Sequence, residues 1–334
     1  MRTADCHTHA VPDAYLDALE ADIDAFGVRV HRVDGKPTSF EIVRPGGYFR
    51  GEPIRLHDAH RSLDERRRHM RDVEVCQQLL SPPTYVFGYD LGLAPAVRNA
   101  RAYNDALSEW IENLDDFIGL GCVPLQYPEE AVRELARLRD LPGIVGVTVG
   151  TRVGGLELDD AALEPFYEAA AALEVTLFVH PNGVSEPERH ASYYLTHSLG
   201  LPADTALGLA RMVLGGVLDR HPSLRVIAAH GGGSFPYLFP RLAHIAQAVA
   251  GGSGQLDPDA VVSSAERLLF DTVVHGDALS YLLGFAGPQR LLLGSDYPAG
   301  TGIARPVDAV RALDGLTPDE FAAIAGGNLL RLTE

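Results

Sequence analysis

Asp5-Cys6-His7-Thr8-His9 opens the first apolar run of the chain, and its reading governs what the later runs mean. In a β-strand alternate side chains share a face, so the imidazoles of His7 and His9 converge on one side. Two neutral imidazoles so placed can begin a metal site, because histidine is the commonest nitrogen ligand for zinc. Alone, the pair reads equally well as two polar residues leaving a strand. Three further stretches tip the balance. Val175-Thr176-Leu177-Phe178-Val179-His180-Pro181 and Arg225-Val226-Ile227-Ala228-Ala229-His230 are short apolar, β-rich runs that end in histidine. Arg290-Leu291-Leu292-Leu293-Gly294-Ser295-Asp296 ends in aspartate. Four separate runs, each ending in a side chain able to bind metal or move a proton, are not explained by packing.

Strand-like runs alternate with helical patterns nearly end to end, which signals a parallel α/β architecture. Strands are predicted at 4–7, 73–80, 117–123, 144–149, 175–180, 225–230, 268–272 and 290–294, with amphipathic helices between them. Ser62 with Glu65 three residues on, and Asp159 before Asp160-Ala161-Ala162, read as helix caps. Eight strands with helical crossovers close most simply as a (β/α)8 TIM barrel, whose active site lies at the C-terminal strand ends. His7, His9, His180, His230 and Asp296 all fall there. Residues 11–61 interrupt the alternation with period-two runs around Asp34-Gly35, which predicts a small β-hairpin insertion after strand one. Residues 181–202, after strand five, are expected to form a helical lid or an interface segment, and Gly251-Gly252-Ser253-Gly254 a surface turn. The whole chain, 1–334, reads as one domain.

A net charge of −17 argues against nucleic acid and anionic membranes as partners. Three cysteines in apolar runs read as buried thiols in a reducing compartment. No basic-then-apolar leader precedes the first strand, and no apolar run approaches transmembrane length, so a soluble cytoplasmic protein is expected.

His7, His9, His180 and Asp296 would give a metal three nitrogens and one oxygen, leaving room for water. The pKa of that water would fall from about 15.7 toward about 7, making hydroxide available at neutral pH. His230 then reads as the acid/base beside it, with Asp296 sharing in the chemistry. A ligand role for His230, or a base role for Asp296, stays open. Zinc suits such a site, and so does manganese.

Together with the Asp-x-His-x-His start, His180-Pro181, His230-Gly231-Gly232-Gly233-Ser234-Phe235, Gly294-Ser295-Asp296-Tyr297-Pro298 and Gly327-Asn328 resemble the amidohydrolase superfamily. The resemblance runs over essentially the whole chain and is strongest to the aminocarboxymuconate-semialdehyde decarboxylase-like branch. It implies a metal-dependent barrel, most members being nonoxidative decarboxylases and some hydratases or C–C hydrolases. Lys36 is the only lysine, so the chain lacks the carboxylated lysine on strand four that binuclear members use, and a mononuclear site follows. The resemblance also implies arginines that hold substrate carboxylates. Arg50, in Tyr48-Phe49-Arg50, matches one such context, and Arg241 another, contributed across a homodimer interface. Two departures bear on the substrate. Ala299-Gly300 stands where close members carry an aromatic, and Tyr193 or Tyr194 stands in the lid where they carry tryptophan.

The expected activity is decarboxylation of a small aromatic or unsaturated carboxylic acid. Hydrolysis or hydration on the same residues is the alternative, and a catalytically dead binding barrel a remote third. Phe87, beyond Ser81-Pro82-Pro83, and Tyr194 are expected to line the pocket. His57, His60, His69 and His190 read as surface residues, as do His197, His221 and His244. Asp271 and His275 follow strand seven and can serve the site or a structural hydrogen bond.

Overall fold

The computed structural model describes residues 2–44, 53–253 and 257–333. Eight parallel strands succeed one another round a single sheet: β1 (Ala4–His9), β2 (Gln77–Ser81), β3 (Phe117–Gly121), β4 (Ile144–Gly150), β5 (Thr176–His180), β6 (Arg225–Ala228), β7 (Leu269–Asp271) and β8 (Leu291–Leu292). The chain leaving β8 closes the ring against β1. Cys6 N–H donates to the Leu293 carbonyl at 2.7 Å, Asp296 N–H to His7 at 2.8 Å and His9 N–H to Tyr297 at 2.7 Å. This is the expected (β/α)8 barrel.

Alternation along the strands divides the core into two layers. Leu79, Leu120, Phe178, Ile227, Ala229 and Leu292 fill the barrel with Ala4 and Cys6, and Leu329 of the C-terminal helix packs on them. Their neighbours in sequence, such as Leu80, Val179, Ala228 and Leu293, face outward into the larger layer under the helices. A register shift in β1 between Asp5 and Thr8 marks a bulge where the strand enters the site, a common way of re-aiming side chains.

In the insertion, Val28–Val33 pairs antiparallel with Lys36–Ile42. Asp34 and Gly35 both take positive φ, 51° and 78°, as a two-residue hairpin turn requires. Ahead of the hairpin a helix, Asp13–Ala21, packs Tyr15, Leu16 and Leu19 inward; it had no counterpart in the sequence reading. The lid comprises short turns at Pro187–His190 and Thr196–Gly200, which lead into the helix Leu201–Leu214.

Several boundaries differ from expectation. β2 begins at Gln77 because the preceding helix, Leu63–Asp72, ends through Glu74 at φ 60°, so 73–76 form the turn. β6 stops at Ala228 because His230 already has φ 54°. The helix Phe235–Ser253 carries Gly251, Gly252 and Ser253, which were expected in a turn; a formed helix tolerates each added glycine at about 1 kcal/mol. Ser62 caps the helix Leu63–Asp72 as expected, whereas Asp160, not Asp159, caps the turn that follows it. Among the described residues no helix is long and apolar enough to cross a membrane.

Candidate metal centre

Both β1 imidazoles reach the strand's C-terminal mouth with Nε2 pointing to one spot. His7 Nε2 lies 3.3 Å from His9 Nε2. Asp296 Oδ1 is 3.3 Å from the first and 3.0 Å from the second. The His180 ring stands across from them, its centroid 5.2 Å from His7 and 5.1 Å from His9. One donor atom from each of His7, His180, His230 and Asp296 falls within 4.8 Å of the others. The structure therefore brings together all five residues singled out in the sequence.

What fixes the rings is on their far sides. His7 Nδ1–H donates to Asp271 Oδ2 at 2.5 Å. His9 Nδ1 meets Ser81 Oγ at 3.1 Å, and that hydroxyl donates onward to the Thr8 carbonyl. His180 Nδ1–H donates to the Pro181 carbonyl at 2.9 Å. With each Nδ1 engaged, each Nε2 is left facing the centre, the arrangement that metal-ligating histidines adopt. His180 Nε2 is buried without a hydrogen-bond partner among the described residues, an orphan that a divalent ion would satisfy. The residues fit a mononuclear ion.

Charge is concentrated here in a desolvated setting. Burial pushes His9 down and His180 well below the ordinary imidazole range. Burial also opposes charge on His7, but the Asp296 and Asp271 carboxylates outweigh it and raise His7 to about 10. Asp296 is held well below the usual carboxylate range, against burial, by His7 and by hydrogen bonds from the imidazoles. Asp271 is lowered too, against burial: besides His7 it accepts the backbone N–H groups of His230, Gly231 and Val273 at 2.9, 2.7 and 3.0 Å. One carboxylate thus orients His7 and pins the loop that carries His230. His230 Nε2 stands 3.8 Å from Asp296 Oδ2.

The amidohydrolase family profile matches residues 4–332. The chain belongs to this family. It is 31% identical to a 2-amino-3-carboxymuconate-6-semialdehyde decarboxylase of Dictyostelium discoideum, covering 98% of this chain and 90% of the relative. Among solved structures, the apo form of IDCase from Metarhizium anisopliae superposes with a TM-score of 0.81 at 25% identity, covering 99% of this chain and 97% of that one. A dihydroxybenzoic acid decarboxylase from Polaromonas, solved with manganese and 2-nitroresorcinol, shares the fold with a TM-score of 0.76 at 20% identity, over 99% and 96% of the two chains. The family match and the decarboxylase relative support a metal-dependent carboxy-lyase of the amidohydrolase superfamily, and the structure at 20% identity shows the fold alone.

In this amidohydrolase His9, His180, His230 and Asp296 line a cavity of about 830 Å³, and His7 lies fully buried behind them. Apart from histidines, Asp296 is the one ionisable acid or base among the described lining residues with a charge at neutral pH. Tyr194 lines the cavity from the lid, though 82% exposed, with φ 55°. Phe87 does not line it. The turn Thr84–Val86 presents Tyr85 to the metal cavity and carries Phe87 past it, into an adjoining cavity of about 520 Å³ beside Tyr89. Arg241 lies exposed on the helix Phe235–Ser253, away from the cavity and without an ion pair among the described residues. Arg50 lies outside the described residues.

Of the histidines read as surface groups, His60, His69, His190 and His221 are half-buried. His60 lies in the cavity wall, His69 stacks on Tyr297 at 3.8 Å between centroids, and His221 Nε2 meets Glu164 Oε1 at 2.7 Å. Asp271 was visible only as one of two options, although the run 268–271 ends in an acid just as the metal-site runs end in theirs. Arg66, fully buried with its guanidinium on the His9 carbonyl and on Gln78 Oε1 at 3.0 Å, carried no sequence signal distinguishing it from Arg67 and Arg68.

Proposed function

We propose that the chain is a mononuclear, metal-dependent nonoxidative decarboxylase of a small aromatic or unsaturated carboxylic acid. The supporting observation is the convergence of the anchored imidazoles of His7, His9 and His180 with Asp296 beside a cavity large enough for such an acid. His7, His9, His180 and Asp296 would hold one divalent ion, zinc or manganese, which supplies Lewis acidity toward an oxygen of the acid. His230, at the cavity wall beside Asp296, moves the proton. The bond pair released when carbon dioxide leaves stays on the substrate carbon, and a proton delivered with the help of His230 and Asp296 completes the product.

Carboxylate recognition falls to Arg50 in the insertion and to Arg241 of a second copy. No guanidinium lines the cavity among the described residues, and Arg241 stands free on an outer helix, so the reading carries a two-fold homodimer with it. The protein acts in the cytoplasm on a small molecule, with no nucleic acid or membrane partner. Tyr194 closes the cavity from the lid, and Phe87 contributes only through the wall it shares with Tyr85.

The test is the fate of the solvent proton. Turnover in deuterium oxide puts one deuterium on the carbon that lost carbon dioxide, and His230→Ala keeps its metal while turnover falls at least about a hundredfold. Full turnover in His230→Ala would remove His230 from the mechanism.

A further inference from the structure

Three imidazoles in the cavity wall, His60, His197 and His275, have no task in this chemistry, and one of them is held in a fixed orientation. His60 lies in the insertion after β1, on the four-residue helix Asp58–Arg61, and faces the same cavity as His9. Its ring is held by two contacts. Nδ1 accepts the His57 backbone N–H at 3.2 Å, and the ring stacks on His57 with centroids 5.8 Å apart. A ring nitrogen that accepts a hydrogen bond carries no proton, so the proton of His60 is on Nε2, at the opposite edge of the ring. Burial, aided by the nearby Arg66 guanidinium, holds the imidazole down to about 3, in keeping with a neutral ring. Nε2 itself has no partner among the described residues.

We infer that His60 is a specificity-determining residue whose fixed Nε2–H donates to an oxygen substituent on the substrate, selecting hydroxylated acids over amino-substituted acids of the same shape. The hydroxyls of Ser198 and Thr301, also in the wall, can rotate to donate or accept and so cannot discriminate in this way. His60 cannot rotate its proton away without giving up the cap on His57. A hydroxyl or phenolate oxygen accepts from it. An arylamine nitrogen, whose lone pair is delocalised into the ring, accepts poorly and would set N–H against N–H. A site built to make one such bond rejects the analogue that leaves it unmade.

The inference rests on the reading that this cavity takes a carboxylic acid, and the experiment separates the two. Metal-loaded protein is titrated calorimetrically with the three hydroxybenzoates and the three matching aminobenzoates, for wild type, His60→Leu and His60→Gln. The wild type is expected to prefer the hydroxy acid at one ring position. His60→Leu should cut that preference about five- to tenfold. His60→Gln should restore it, because its Oε1 can cap His57 while its amide donates into the cavity. A preference unchanged in His60→Leu, or no preference in the wild type at any position, would overturn the role of His60 while leaving the carboxylic-acid reading standing. Equal losses for both ligand series in His60→Leu would assign His60 to capping alone. Failure of all six acids to bind the metal-loaded wild type overturns the carboxylic-acid reading, and the inference with it.

Discussion

Asp271 lines neither of the two cavities described, yet it sets the site's chemistry through the 2.5 Å bond to His7 Nδ1 and the three backbone N–H groups it gathers. Asp271→Asn removes the charge that orients His7, and metal affinity is expected to fall about 10- to 100-fold, measured by competition with a chelator. Unchanged affinity would show that the ring is held by packing on Phe178, 4.8 Å away between centroids. His7 carries a second consequence. Its pKa is raised to about 10 by Asp296 and Asp271 despite burial, so the metal-free protein holds a proton there. That proton's contribution to stability is complete below about pH 6.5 and is lost as pH climbs through about 10. Metal must displace it, so calorimetry at pH 8 in buffers of different ionisation enthalpy should show release of about one proton per ion bound. Binding heats independent of buffer would contradict this. The residues that converge on the centre were legible because each lies at the end of an apolar run. Asp271 was ambiguous because an acid that orients a histidine and one that caps a loop look alike in sequence. The role of His60 depends on which nitrogen the His57 N–H finds, which no linear pattern records.

At the scale of elements, the turn after β6 is the most constrained part of the site. His230, Gly231, Gly232 and Gly233 all take positive φ, from 54° to 76°. A Cβ on Gly233 would come within 1.9 Å of the Pro202 carbonyl, a backbone atom that cannot swing aside. Gly233→Ala therefore forces the lid helix and the His230 turn apart. It should lower the melting temperature by several degrees and turnover at least about tenfold, followed by scanning calorimetry and by activity on the same samples. A variant with wild-type values of both would mean that the turn relaxes freely. Strand order and count were readable because parallel strands buried on both faces appear as continuous apolar runs. Boundaries were less so. The ends of β2 and β6 depend on single residues, Glu74 and His230, taking left-handed conformations that their side chains do not announce. The helix Asp13–Ala21 escaped notice because its inward face, Tyr15, Leu16 and Leu19, is short, and Pro12 before it offers no side-chain cap.

For the whole molecule, the lid and one outer helix each expose large apolar side chains. Tyr193 and Tyr194 are 90% and 82% exposed, and Tyr237 is 72% exposed one helical turn before Arg241. Ile245 continues that stripe a turn later. Large exposed apolar groups flanking an unpaired arginine suit an interface between copies of this chain. Tyr237→Glu is expected to shift sedimentation from dimer to monomer at micromolar concentration and to reduce turnover by tenfold or more, since Arg241 would no longer reach a neighbouring cavity. A fully active monomer would remove Arg241 from substrate binding. A dimer is implied only by family resemblance, since periodicity reports which face of a helix is apolar and says nothing of what covers it.

The central claim, that this metal site removes carbon dioxide from an acid, is tested most directly by carbon dioxide release from metal-loaded and chelated samples of the same preparation, across hydroxybenzoic and dienoic acids. The account predicts release from at least one acid that stops on chelation and returns with zinc or manganese. Metal-dependent incorporation of labelled water oxygen into a product, with no carbon dioxide released from any acid, would contradict it and establish hydrolysis or hydration instead.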